Sequence, residues 1–115
     1  MPMIRVQLSP RLADDARAAL MKRLSATVAS GLGKPESYMM VVLEAGVPML
    51  MAGKADPAAL VEVRSVGTIS GGAASDLSGK LSALLTEAGV PADRVYCNFM
   101  GVPGAMWGHG DSTFG

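Results

Sequence analysis

Gly33-Lys34-Pro35-Glu36-Ser37 and Gly89-Val90-Pro91-Ala92-Asp93 are the same kind of punctuation used twice, almost half the length of a 115-residue chain apart. Each follows a stretch of helical periodicity and precedes an apolar run of strand character. Glycine closes a helix because it tolerates left-handed backbone, and a proline two residues later prevents continuation. Upstream of the first copy, Ala16, Leu20, Leu24 and Val28, with Met21 beside them, recur at helical spacing, while Arg17, Lys22, Arg23 and Ser30 take the other side. This predicts a helix over about 14–31, with Asp14 and Asp15 at its positive end. Upstream of the second copy, Gly71-Gly72 leads into Leu77, Leu81, Leu84, Leu85 and Ala88, a second apolar stripe that Gly89 and Pro91 terminate.

The strands follow from the spaces left over. Ile4, Val6 and Leu8 alternate with Arg5 and Gln7, the period of a half-buried strand that Ser9-Pro10 ends. Val61 and Val63 alternate with Glu62 and Arg64 in a second such strand over 60–66. Tyr38 to Glu44 and Val95 to Met100 are nearly continuous apolar runs, and the first reads as central in a sheet, covered on both faces or on one face and an interface. Pro48 to Met51 reads as a short edge or hairpin piece before the turn at Gly53-Lys54-Ala55-Asp56-Pro57. A β-α-β unit occurring twice gives an α/β fold, a two-layer sandwich in which a four-stranded sheet carries two helices on one face, with right-handed crossovers. Gly-x-Pro after a helix is also generic stop chemistry, so the duplication rests on the strands as well. The other sheet face would be left uncovered, and its apolar residues argue that it meets another chain.

Length and composition narrow the function classes. One domain spanning 1–115 is expected, long enough for one core and too short for two. Ten basic residues balance ten acidic ones, so no net field favours nucleic acid or an anionic membrane. Tyr38 to Gly53, the most apolar stretch, is broken by Glu44 and Pro48 and falls short of the ~20 residues of a membrane span. No secretory leader is evident at Met1-Pro2-Met3-Ile4-Arg5-Val6, which makes cytoplasmic residence the expectation. Cys97 and His109 are the sole cysteine and histidine, so an internal disulfide is impossible and a Cys/His zinc cage, like any metal site, is not expected.

Several motifs carry no chemistry. Gly72 and Gly79-Lys80 are too far apart for a phosphate loop, and Leu81 stands where Ser or Thr is needed. A Ser-His-Asp triad would have to use His109 in the Gly-rich stretch Gly108-His109-Gly110-Asp111, without a nucleophile elbow. Cys97 inside an apolar strand reads as an inert core thiol. Pro2 remains. Proline after the initiator methionine favours removal of Met1, which would leave a secondary amine, whereas every other proline nitrogen is a non-basic amide. On composition alone, the reading of Pro2 as merely the start of an edge strand prevails.

Read together, Met1-Pro2-Met3, Gly33-Lys34-Pro35 with Tyr38, Ser65-Val66-Gly67-Thr68-Ile69 before Gly71-Gly72, Asp93-Arg94-Val95-Tyr96-Cys97-Asn98-Phe99, Trp107, and Ser112-Thr113-Phe114-Gly115 resemble the macrophage migration inhibitory factor family of the tautomerase superfamily in order and spacing. The resemblance covers essentially the whole chain. It implies a homotrimer of β-α-β-β-α-β subunits with sheets facing inward and three sites at subunit interfaces. It implies that Pro2, freed of Met1, is the catalytic base and acid, and that Lys34 binds a substrate carboxylate with the backbone N–H of Val66, beside Ser65. Tyr96 and Asn98 would come from a neighbouring subunit. Tyr38, Met106, Trp107 and Phe114 would line or support apolar walls. The implied reaction is keto–enol tautomerisation of small α-keto acids such as phenylpyruvate and hydroxyphenylpyruvate, without a cofactor. The resemblance also allows release from the cell by a route that needs no leader.

A free α-amino group titrates near ~8, so burial in an apolar pocket and the Lys34 cation would both bring Pro2 closer to neutral pH. Departures from the family pattern also matter. Ala58-Ala59-Leu60-Val61 stands where animal members can carry Cys-x-x-Cys, so thiol–disulfide activity of that type is not expected. Phe99 and Met100 stand at the expected pocket rim where some relatives have tyrosines, which puts substrate preference in question. A cytokine-like binding or signalling module with a vestigial pocket is the alternative, although no receptor is legible. Dehalogenation or decarboxylation from the same proline ranks third, because it would call for further pocket cations and only Lys34 is matched.

Overall fold

Ile4, Val6 and Leu8 turn wholly inward from β1 (Pro2–Leu8), which alternates with a period of two along its length. In the computed structural model, which describes residues 1–115, this strand is followed by α1 (Asp14–Leu32), β2 (Met40–Glu44), β3 (Ala59–Val66), α2 (Gly71–Glu87) and β4 (Val95–Val102). A small hairpin of β5 (Gly108–His109) and β6 (Ser112–Thr113) closes the chain. The sheet order is β2-β1-β3-β4, with β1 parallel to β2, β3 parallel to β4, and β1 antiparallel to β3. Each parallel pair is joined through a helix, so the two β-α-β units read from the sequence are present and meet along β1 and β3. No helix is long and apolar enough to cross a membrane.

Both helices pack on one face. Leu20, Leu24, Val28 and Ala29 of α1 and Leu77, Leu81, Leu84 and Leu85 of α2 are buried against Ile4, Val6, Leu8, Val61 and Val63. Ala16, placed on the apolar stripe by periodicity, is exposed, lying in an open groove with Leu20, Leu84 and Ala88. Gly31 lets the helices approach closely, since a Cβ there would collide with Leu77. Ser70 caps α2, its Oγ accepting from the Ala73 N–H at 3.1 Å, and the two glycines form the first turn rather than preceding it.

Two sequence expectations are corrected. The run at Tyr38 to Glu44 is not central. Glu36–Tyr38 is a single 3₁₀ turn, and β2 is an edge strand. Its apolarity on both sides arises because Val41 and Leu43 pack on the core while Met40 and Val42 lie on the open sheet face. The piece at Pro48 to Met51 forms no strand. Met51 and Lys54 exchange both backbone hydrogen bonds at 3.0 Å around Ala52 and Gly53, both at positive φ. Arg94 clamps this turn, donating to the carbonyls of Pro57, Met51, Lys54 and Asp56 at 2.8–3.4 Å. Only 18 of 115 residues are buried, because the second sheet face is bare.

Candidate functional site

The start of β1 and the end of β3 define the site. Pro2 opposes Ser65 in the antiparallel ladder, and Met3 opposes Arg64. As the first residue of its strand, Pro2 forgoes no interior ladder bond by lacking an N–H. Its side chain is fully buried. Above it lies a cavity of about 640 Å³ lined by Met1, Pro2, Met3, Ser37, Tyr38, Met39, Met40, Arg64, Val102, Met106, Trp107, Gly108 and His109.

The wall residues come from three local devices. The 3₁₀ turn after α1 presents Ser37 and Tyr38, and a second one at Gly104–Met106 presents Met106 and Trp107. The β5–β6 hairpin supplies Gly108 and His109 and is braced by Phe114, whose N–H donates to the carbonyls of Gly104 and Trp107 and whose ring lies 5.7 Å from that of His109. Phe114 therefore supports the wall without lining it. Glycine is required at Gly101, where a Cβ would run into the Gly67 backbone carbonyl. The Gly67 N–H bonds the Val102 carbonyl at 2.9 Å, so β4 fixes the 66–67 segment.

Lys34 is delivered by the end of α1. Gly33 adopts left-handed backbone (φ 64°), and the Lys34 N–H closes back on the Ala29 carbonyl at 2.9 Å. The Lys34 Nζ then lies 3.5 Å from the Val66 carbonyl, which also accepts from Ser65 Oγ at 3.4 Å. Ser65 itself is buried on the helix side of the sheet, beneath the cavity and outside its wall. The Val66 N–H donates to the Met1 carbonyl at 3.2 Å. Desolvation and, secondarily, the Lys34 ammonium hold the Met1 amino group below its ordinary value.

Pro2, Tyr38, Met106 and Trp107 thus line one cavity, while Lys34, Ser65 and Val66 lie behind its wall, joined to it through the bond from the Val66 N–H to the Met1 carbonyl. Tyr96 and Asn98 do not join them. Ser65 pairs with Gly101 of β4, so Tyr96 lies five residues further along, roughly 16 Å at ~3.3 Å per residue, and two strands from Pro2. Both are exposed on the open face. Phe99 is also not at the rim, since it packs against the core from the helix side, whereas Met100 is on the open face. Cys97 is half-buried, and burial pushes its thiol up against the opposing effect of a Ser78 hydrogen bond, which disfavours the reactive thiolate. No three His, Cys, Asp or Glu side chains converge.

Arg64 is the charged lining residue that the sequence did not single out, and His109, weighed there only for a zinc cage or a hydrolytic triad, joins it at the wall. Alternation had placed Arg64 on the polar side of β3. The missing signal was the antiparallel register of β1 on β3, which sets that polar side beside Met3 at the mouth of the cavity. The cavity wall therefore carries a guanidinium, in addition to the Lys34 ammonium near Met1 at its edge, contrary to the single matched cation of the sequence reading.

The family model described as "Macrophage migration inhibitory factor (MIF)" matches residues 1–115. A macrophage migration inhibitory factor homolog of Brugia malayi is 33% identical over 99 residues, covering 85% of this chain and 86% of that one. The crystal structure of a homologue from Prochlorococcus marinus superposes with a TM-score of 0.92 at 39% identity, over 98% of this chain and 99% of the other. The Toxoplasma gondii protein gives a TM-score of 0.92 at 32% identity, over 97% and 99%. With the whole chain matched by the family model and the fold shared from end to end, this chain belongs to the macrophage migration inhibitory factor family.

Proposed function

We propose that residues 1–115 form one tautomerase domain, resident in the cytoplasm, that interconverts the keto and enol forms of α-keto acids such as phenylpyruvate and hydroxyphenylpyruvate. The base is the Pro2 amine released when Met1 is removed. The observation that carries this reading is the Met1 carbonyl held by the Val66 N–H beside the buried Pro2 and Lys34. Cleavage of the Met1–Pro2 bond would free a secondary amine and a backbone donor at the same point, next to a cation.

The chemistry follows from those groups. The substrate carboxylate takes the place of the Met1 carbonyl, accepting from the Val66 N–H and pairing with Lys34. The neutral Pro2 nitrogen removes a proton from the carbon beside the ketone. The C–H electron pair forms the C=C bond as the carbonyl pair moves to oxygen, where the cation offsets the developing charge. The prolinium then delivers its proton to that oxygen, giving the enol with no net change in the enzyme. Tyr38, Met106 and Trp107 hold the side chain of the substrate. In the proposed homotrimer, Tyr96 and Asn98 of a neighbouring subunit complete the wall.

The test is the tautomerisation rate of phenylpyruvate, followed by ultraviolet absorbance on protein whose intact mass shows loss of Met1. Pro2→Gly should lower kcat/KM by about a hundredfold or more, the lower range of general acid–base contributions. An undiminished rate in that variant would overturn the reading.

A further inference from the structure

Arg64 is the one permanently charged side chain lining the cavity, and the proposed chemistry leaves it unused. It lies on the cavity face of β3, opposite Met3, where Pro2 opposes the neighbouring Ser65. In the single chain its side chain is 46% exposed, and its one side-chain partner is Glu62, two residues earlier on the same strand face, at 3.5 Å. That contact is long and single, engaging one of the five N–H donors of the guanidinium. An exposed ion pair of this kind contributes little to stability, so a better-placed carboxylate can compete for Arg64. No Asp or Glu lines the cavity, which leaves its field cationic although the chain as a whole is neutral.

We propose that Arg64 is a specificity-determining residue that selects α-keto acids carrying a second carboxylate. This rests on the tautomerase reading above, in which the first carboxylate goes to Lys34 and the Val66 N–H. A fork of parallel N–H donors on Arg64 can hold the second in bidentate fashion. Met3 and Met40 beside it supply an apolar bed for the methylene chain between the two carboxylates.

The probes are 2-oxopentanedioate and 2-oxopentanoate, which share a carbon chain and differ only in the terminal carboxylate. Exchange of the protons beside the ketone with deuterated solvent, read by NMR on protein lacking Met1, gives kcat/KM for each. The diacid-to-monoacid ratio should fall about tenfold or more in Arg64→Met, as expected for loss of a charge-assisted hydrogen bond. In Glu62→Gln, which keeps Arg64 and removes its competitor, the ratio should rise. An unchanged ratio in both variants overturns the proposal. Binding of the unreactive pentanedioate and pentanoate, titrated by NMR, separates the two readings. If neither keto acid exchanges, the tautomerase reading falls. Arg64-dependent preference for pentanedioate would still support the selectivity, and equal binding of the two acids would overturn it.

Discussion

The Met1 carbonyl and the Val66 N–H hold one another at 3.2 Å, so a single residue both masks the Pro2 nitrogen as an amide and occupies the donor beside it. Desolvation first and the Lys34 charge second lower the Met1 amine at this point. The same cation close to a free Pro2 amine disfavours the prolinium, and burial of Pro2 acts in the same direction. In our mechanism the neutral amine is the active form, so kcat/KM should rise with pH as Pro2 loses its proton. Lys34→Met removes the positive neighbour, which stabilises the prolinium and should move that rise to higher pH, besides raising KM by loss of the carboxylate partner. A pH profile of kcat/KM for the variant checks this, and a rise that stays in place or moves to lower pH would contradict it.

At the scale of elements, short backbone devices aim the site. The left-handed Gly33 turns Lys34 off the end of α1, and Gly101 lets the 66–67 segment lie directly on β4. Gly101→Ala has no flexible neighbour to displace, because what it meets is the Gly67 carbonyl. We expect it to destabilise the fold by about 1–3 kcal/mol, the range for forced overpacking, measured by denaturant unfolding. In the fraction that remains folded, kcat/KM should fall because the Val66 N–H is displaced. Unaltered stability and activity would mean that the close approach is unimportant. Helices and strands were legible because their apolar residues repeat with periods set by local geometry. The edge position of β2 was not, since an apolar run looks the same whether covered by helices or left open to an interface. The turn at Ala52 was hidden too, because the Arg94 clamp that holds it comes from a distant point of the sequence.

At the scale of the whole molecule, the bare sheet face dominates. Met40, Val42, Tyr96 and Met100 stand exposed on it, and a chain with so few buried residues gains most by covering that face. Light scattering should give three times 11.8 kDa for the assembly, and a monomer at working concentration would contradict the proposed trimer. The separation of Tyr96 and Asn98 from Pro2 leads to a sharper expectation. Trimers of Pro2→Gly and trimers of Asn98→Ala should each be impaired, and co-refolding the two should restore activity, because some interfaces then combine an intact Pro2 with an intact Asn98. Activity no greater than the sum of the two separate variants would place both residues within one subunit. The sequence pattern conveyed the duplicated unit, and the family resemblance, through Pro2, Tyr38, Met106 and Trp107, conveyed much of the cavity wall. Arg64 stayed hidden because its role depends on how the two halves pair, and pairing between repeats leaves no periodic trace.

The central claim is that the Pro2 nitrogen is the base. Its most direct test is a pH titration of protein lacking Met1 and labelled with ¹⁵N at Pro2, set beside the pH dependence of kcat/KM. We predict that the Pro2 nitrogen titrates below the ~8 of an ordinary α-amino group, and that the rise in activity follows the same midpoint. A Pro2 nitrogen that titrates at or above that value, with activity rising at a different pH, would contradict the mechanism.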